Sequence, residues 1–262
     1  SGAFTVTDVV ERYLETIEEL DRNGPKLNSM VCINPDAIKM AKDLDKKLLE
    51  RPAIGPMYGI PVVLKDNIDT RDRMPTTAGS RILRNSYPKQ DSWVAKKLRE
   101  AGAVIIGKAN LSEWANYRAS YSSSGWSGIV GQTKNPYVLD RNPCGSSSGS
   151  AVAVSANLCA LAIGTETWGS IMCPSNANGV VGIKPTVGLW SRSGIVPISY
   201  TQDTAGPMAR TVTDAVKVLG ALTGVDSSDM KTINSRGQSY SDYTKFLQKD
   251  GLSGKRIGYL TT

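Results

Sequence analysis

The sequence predicts an α/β fold, with helices packed against a sheet of short, buried strands. Apolar residues at helical spacing alternate along the chain with short runs rich in β-branched residues, which is the pattern of such folds. The 262 residues are enough for one large domain or two small ones. Because no repeat, low-complexity tract or clear linker divides them, we predict a single domain over residues 1–262.

The first predicted elements are a helix, a strand and a second helix. Residues 6–20 are predicted to be helical because their apolar side chains recur at steps of one and three, with a threonine at position 5 or 7 as the N-cap. The short apolar run at residues 31–33 predicts a strand. Asn34 then suits the N-cap of a helix over residues 35–49, which has proline in its first turn.

Two buried strands are predicted in the middle of the chain. The β-branched run at residues 60–64 predicts the first, and residues 104–106 predict the second. Between them, residues 91–101 are predicted to form a helix whose first residue, Asp91, is the expected N-cap. A short helix is expected over residues 110–114.

The second half of the chain continues the alternation. We predict an apolar helix over residues 151–163, a strand over 180–183, a helix over 213–222 and a terminal strand over 256–260. Residues 226–243, rich in Ser, Asp and Gly, are expected to form a surface loop or an insertion.

The absence of histidine restricts the chemistry of the chain most severely. It excludes a Ser-His-Asp triad, a Cys-His pair, an HExxH zinc site and a haem with a histidine ligand. Proton transfer near neutral pH must therefore use Lys, Asp, Glu, Tyr, Cys or water.

Charge, apolar stretches and cysteine content indicate the partners and the cellular compartment to expect. The net charge of +7 is diffuse, so we expect it to favour solubility and predict no nucleic-acid partner. The longest strongly apolar stretch, residues 151–164, is too short to span a bilayer, and no membrane partner is expected. The four cysteines include no CxxC pair and are too few for a disulfide scaffold, which favours a reducing, cytoplasmic compartment. A secreted chain whose signal peptide had been removed would look the same.

Residues 142–183 form the most unusual segment of the sequence. It contains one charged residue, Glu166, in 42, and it is rich in Gly and Ser. A long uncharged segment is expected to be buried, and buried hydroxyl groups need hydrogen-bond partners or a chemical role.

Several interpretations of the serine-rich runs compete. A phosphate-binding loop is disfavoured because GxxxxGK[ST] is absent. Residues 145–149 match the GxSxG nucleophile motif, but that fold needs a histidine base. Residues 86–89 and 228–231 match SxxK, yet the first contains proline where a helix is required and neither SDN nor KTG follows. Serines that serve only close packing remain an alternative.

A serine hydroxyl in a protein without histidine can use a neutral lysine as its base, because burial lowers the pKa of a lysine. Lys65 stands at the end of a predicted buried strand, ahead of the serine-rich segment. A strand-end lysine whose amine reaches solvent is the competing interpretation.

The chain resembles the amidase signature family over nearly its whole length. The resemblance is carried by residues 59–67, 76–80, 107–114, 142–150, 164–174, 179–188 and 203–207. Residues 124–127 and 173–175 are most similar to stand-alone, peptide-amidase-like members. The resemblance implies a three-layer α/β/α fold with a central mixed β-sheet. Family members are usually far longer, so the C-terminal portion of that fold is expected to be missing.

The resemblance also implies a function and its residues. Members hydrolyse carboxylic or peptide amides through a Ser-Ser-Lys triad and an acyl-enzyme, and the triad falls on Lys65, Ser146 and Ser170. Ser146 would follow a cis peptide bond. The expected oxyanion-hole donors are backbone N–H groups of Thr167, Trp168, Gly169 and Ser170. No cofactor and no metal are implied.

Departures from the family pattern define the substrate-pocket candidates, Trp168, Met172 and Ser147. Trp168 replaces a usual Asp or Gly beside the nucleophile. Its indole could pack as a pocket wall or fill the acyl pocket, and we favour the second outcome. The substrate is expected to be a small-molecule or peptide amide. Two other functions remain open, a catalytically impaired amidase scaffold and an amidotransferase A-subunit-like glutaminase. An exposed sheet edge or apolar patch would favour a homo-oligomer.

Overall fold

A computed structural model describes residues 4–50 and 55–258, and a six-stranded mixed sheet is its centre. The sheet strands are β1 (Met30–Ile33), β2 (Pro61–Lys65), β3 (Val104–Ala109), β6 (Leu161–Glu166), β7 (Val181–Gly182) and β8 (Thr204–Ala209), and a separate ribbon pairs β4 (Trp126–Ser127) with β5 (Gly131–Gln132). The sheet order is β1-β3-β2-β6-β8-β7. β2 is parallel to both neighbours, whereas β1, β7 and β8 pair antiparallel.

Helices cover both faces of this sheet. They are α1 (Val6–Thr16), α2 (Ala37–Glu50), α3 (Trp93–Glu100), α4 (Ser148–Ser155), α5 (Met172–Ala177) and α6 (Val212–Ala221). Successive residues of β2 point to opposite faces, so Val62 and Leu64 join the core beneath α3 and α6, and Val63 joins the core beneath α1, α2 and α4. The α/β/α layering and the mixed sheet are therefore as predicted.

The sequence predicted the N-cap of α1 correctly but not the N-cap of α3. Thr5, one of the two threonines predicted as N-cap, caps α1 and forms a capping box with Asp8. The N-cap of α3 is Ser92, which accepts from the N–H of Ala95, and not the predicted Asp91. Asp91 instead forms an ion pair with Arg99.

The predicted helix over residues 151–163 is wrong in its second half. α4 ends at Ser155, and β6 begins at Leu161 after a turn that contains Asn157 at φ 56°. Both elements are almost entirely buried, so the sequence shows neither the 3.6-residue nor the two-residue periodicity that would separate helix from strand. A continuous apolar sequence therefore does not mark where this helix ends.

Two smaller predictions also need correction. Residues 113–116 form a 3₁₀ turn with Trp114 and Ala115 in the left-handed region, and not a regular helix. Residues 256–258 form no strand, and the remainder of that prediction lies outside the described residues. Residues 226–243 are mostly exposed, as predicted, although they include a 3₁₀ helix at Met230–Ser235 and Asp229 forms an ion pair with Arg192.

Candidate active site

Lys65 lies at the carboxyl end of β2, between parallel strands β3 and β6, and its side chain is completely buried. Its Nζ atom lies 2.7 Å from Ser146 Oγ, 3.0 Å from Thr165 Oγ1 and 3.2 Å from the Thr165 carbonyl oxygen. Burial lowers the pKa of Lys65 to about 7, although the carboxylates of Glu166 and Asp203 oppose the change. A substantial fraction of this amine is therefore neutral near pH 7 and can act as a base.

Ser146 follows a cis peptide bond from Gly145, as the resemblance implied. A side chain at position 145 would collide with the Ser112 hydroxyl, so a larger residue there would have to displace that hydroxyl. The N–H of Ser112 in turn donates to the Ser146 carbonyl oxygen at 3.1 Å. This packing holds the Ser146 hydroxyl against Lys65.

The turn after β6 carries Ser170 and is held by a carboxylate. Oε2 of Glu166 accepts from the N–H groups of Ile171 at 2.6 Å and Met172 at 3.0 Å, which closes the turn. Gly169 has φ 84°, a conformation that glycine adopts without strain. The N–H groups of residues 167–170 donate to no acceptor in the described parts of the chain. Unpaired N–H groups in one turn can stabilise an oxyanion.

The predicted triad is only partly joined by hydrogen bonds. The N–H of Ser147 donates to the Ser170 carbonyl oxygen at 3.1 Å, which brings the start of α4 next to the turn. Within residues 4–50 and 55–258, no hydrogen bond joins the Ser170 hydroxyl to that of Ser146. The backbone thus places the two serines close together in the fold.

The substrate-pocket candidates lie elsewhere than expected. The Trp168 side chain is 92% exposed, so its indole fills no pocket within the described residues. Met172 is half exposed, and neither residue lines the cleft beside the site. Ser147 is buried, and its hydroxyl donates to the Thr165 carbonyl oxygen and accepts from the Thr165 N–H. Through these contacts, Ser147 joins the start of α4 to β6.

The cleft beside the turn has a volume of about 240 Å³. Its lining includes Asn67, Thr165 and Thr167 on one wall and the loop at residues 192–200 on the other. Asp203 joins the two walls, because it accepts from the Thr167 hydroxyl at 2.5 Å and from the N–H groups of residues 198 and 199. Of the residues in the turn after β6, Thr167 lines this cleft, and Ser170 is not among its lining residues.

A disulfide bond, not predicted from the sequence, also joins the parts of the site. Cys144 precedes Gly145, and Cys173 lies three residues after Ser170; their Cα atoms are 5.9 Å apart. The bond ties the loop of Ser146 to α5. Cys32 and Cys159 have free thiols.

Sequence reasoning missed three supporting residues, Glu166, Thr165 and Asp203. Glu166 had a signal, since it is the one charged residue in the 42-residue segment. Thr165 had none, because its contact with Lys65 spans 100 residues of sequence.

No helix in the described residues is long and apolar enough to cross a bilayer.

Comparisons with known proteins show which family shares this sequence and fold. The family model for amidases matches residues 8–262. The peptide amidase of Stenotrophomonas maltophilia is 52% identical with a TM-score of 0.94, covering 97% of this chain and 52% of that one. An amidase family protein from Bacillus anthracis is 46% identical with a TM-score of 0.93, covering 97% and 50%.

One component of a glutamyl-tRNA(Gln) amidotransferase is also similar. The A subunit of this amidotransferase from Rippkaea orientalis is 43% identical over 96% of this chain and 50% of its own length. The chain spans about half the length of the relatives it matches. The match of the family model to nearly the whole chain, together with these identities, shows that the chain belongs to the amidase family.

Proposed function

We propose that the protein hydrolyses carboxylic or peptide amides, with Ser170 as nucleophile, Ser146 as proton relay and Lys65 as base. The observation that carries the proposal is the buried Lys65 amine, 2.7 Å from the Ser146 hydroxyl, with a pKa of about 7. A neutral amine in that position accepts the Ser146 proton, and Ser146 then accepts the proton of Ser170.

The reaction follows from these positions. Ser170 Oγ forms a bond to the amide carbon, and the carbonyl oxygen becomes an oxyanion that the N–H groups of residues 167–170 stabilise. Collapse of this intermediate breaks the C–N bond, while Lys65 returns the proton through Ser146 to the leaving amine. Water then attacks the acyl-enzyme, giving its proton to the same relay, and the carboxylic acid leaves.

Peptide amides are the favoured substrate class. The peptide amidase of S. maltophilia, 52% identical, supports this choice over the amidotransferase role of the relative that is 43% identical. Trp168 is 92% exposed and blocks no pocket within the described residues, which supports amide hydrolysis over the impaired-scaffold alternative.

Ammonia release from a C-terminally amidated peptide tests the proposal. We expect release by the wild-type protein, loss in Ser170→Ala, and no change in Ser253→Ala, a control at an exposed serine. Ammonia release that is absent from the wild type, or that survives Ser170→Ala, would contradict the proposal.

A further inference from the structure

Asn67 is the buried polar residue next to Lys65 that the mechanism above does not use. It is 4% exposed and lies two residues after Lys65, on the wall of the cleft. Its Nδ2 atom lies 3.0 Å from Thr165 Oγ1, and its Oδ1 atom has no hydrogen-bond partner in the described residues.

The hydroxyl proton of Thr165 has no hydrogen-bond acceptor in this arrangement. Its Oγ1 atom accepts from Lys65 Nζ at 3.0 Å and from Asn67 Nδ2 at 3.0 Å, so both lone pairs are used. Its own proton reaches no acceptor among the residues that the structure describes. Two buried groups, this hydroxyl proton and Asn67 Oδ1, thus lack partners although their residues are in contact.

Turning the Asn67 amide by half a turn pairs these two groups. The oxygen and nitrogen of an amide occupy nearly equivalent positions, and the hydrogen-bond network decides between them. With Oδ1 toward Thr165, the hydroxyl donates to Asn67 and still accepts from Lys65, which leaves one unpaired group in place of two. Unpaired buried polar groups are costly, so this orientation is favoured.

The orientation matters for the base. A neutral lysine has two N–H donors and one lone pair; the donors meet the Thr165 carbonyl and hydroxyl oxygens, and the lone pair faces Ser146. If Asn67 presented Nδ2, the Thr165 proton would be free to point at the lysine lone pair and compete with Ser146. We infer that Asn67 is a positioning residue, whose amide oxygen accepts the Thr165 proton and so keeps the Lys65 lone pair directed at Ser146.

This inference rests on the proposed function, and two substitutions separate its consequences. Asn67→Asp keeps an acceptor and adds a negative charge near Lys65. The carboxylates of Glu166 and Asp203 already raise the pKa of Lys65. The charged group that faces Glu166 is Lys184, at 3.9 Å. The rising limb of kcat/KM against pH should move up by about one to two pH units. Asn67→Leu removes the acceptor, and kcat should fall about 10- to 100-fold with little change in KM.

Asn34→Asp is the matched control. Asn34 is a buried asparagine that bonds to the Ile105 carbonyl oxygen, near the opposite end of β3 from Ala109, which pairs with Lys65. This change should lower stability and leave the pH limb in place.

The experiment measures both kcat/KM and fluorophosphonate labelling of Ser170 against pH, with thermal unfolding of each variant. A limb that stays within about 0.3 pH units in folded Asn67→Asp, or one that moves equally in Asn34→Asp, would overturn the inference. A wild-type protein in which Ser170 is not labelled would instead refute the proposed function. Because Asn67→Asp is nearly isosteric, it keeps the test open if Asn67→Leu fails to fold.

Discussion

Replacing Lys65 by methionine is expected to stabilise the protein while abolishing its activity. Burial lowers the pKa of Lys65 from 10.5 to about 7, which corresponds to roughly 5 kcal/mol at about 1.36 kcal/mol per pH unit. Methionine is an unbranched side chain that can fill the space without a charge. The hydrogen bonds lost by Ser146 and Thr165 cost about 1–3 kcal/mol, so a net gain of about 2–4 kcal/mol is expected near pH 6.

The gain in stability from Lys65→Met must decrease as pH rises. Below pH 7 the lysine is charged in both states, and the folded protein carries the full cost of burying the ammonium. Between pH 7 and about 10.5 the unfolded state binds more protons than the folded state, so wild-type stability rises with pH. The advantage of Lys65→Met should therefore shrink by roughly 3 kcal/mol between pH 6 and pH 9.5.

Urea unfolding at both pH values, followed by tryptophan fluorescence, measures this difference. Lys217→Met, at an exposed position of α6, controls for the loss of one positive charge. The reasoning is refuted if the stability difference between Lys65→Met and wild type is the same at pH 6 and pH 9.5, or grows with pH.

Three further changes test other parts of the site. Ser146→Ala should slow fluorophosphonate labelling while the adduct stays on Ser170 in peptide mapping; an adduct at position 147 would contradict the assigned roles. Cys144→Ser opens the disulfide across a 29-residue separation and should lower the free energy of unfolding in urea by about 3–4 kcal/mol, and an unchanged midpoint would count against a stabilising bond. Trp168→Gly should leave the kcat/KM ratio of bulky to small acyl amides within about threefold of the wild-type ratio, since the indole is 92% exposed. A larger rise for bulky amides would show that the indole fills the acyl pocket.

The sequence revealed Lys65 because its signal is local. A lysine directly after a run of β-branched residues can be read from neighbouring positions, and the absence of histidine made that lysine the remaining base for a serine. The cis bond before Ser146 and the role of Ser170 came instead from resemblance, since no spacing rule predicts either one.

The features that were missed depend on contacts between distant segments. The division between α4 and β6 is decided by strand pairing with β2 and β8, because the apolar sequence suits helix and strand alike. The Cys144–Cys173 bond needs two Cα atoms within bonding range, which composition cannot show. The size of Trp168 alone suggests burial, yet the turn directs this side chain outward.

The rate of fluorophosphonate labelling against pH, with the adduct mapped by mass spectrometry, tests the central claim most directly. The account predicts an adduct on Ser170 that forms faster as pH rises, with a midpoint near the Lys65 pKa of about 7, and a rate about 10²–10⁴-fold lower in Lys65→Ala. An adduct on another serine, or a Ser170 labelling rate in Lys65→Ala within twofold of wild type, would contradict it.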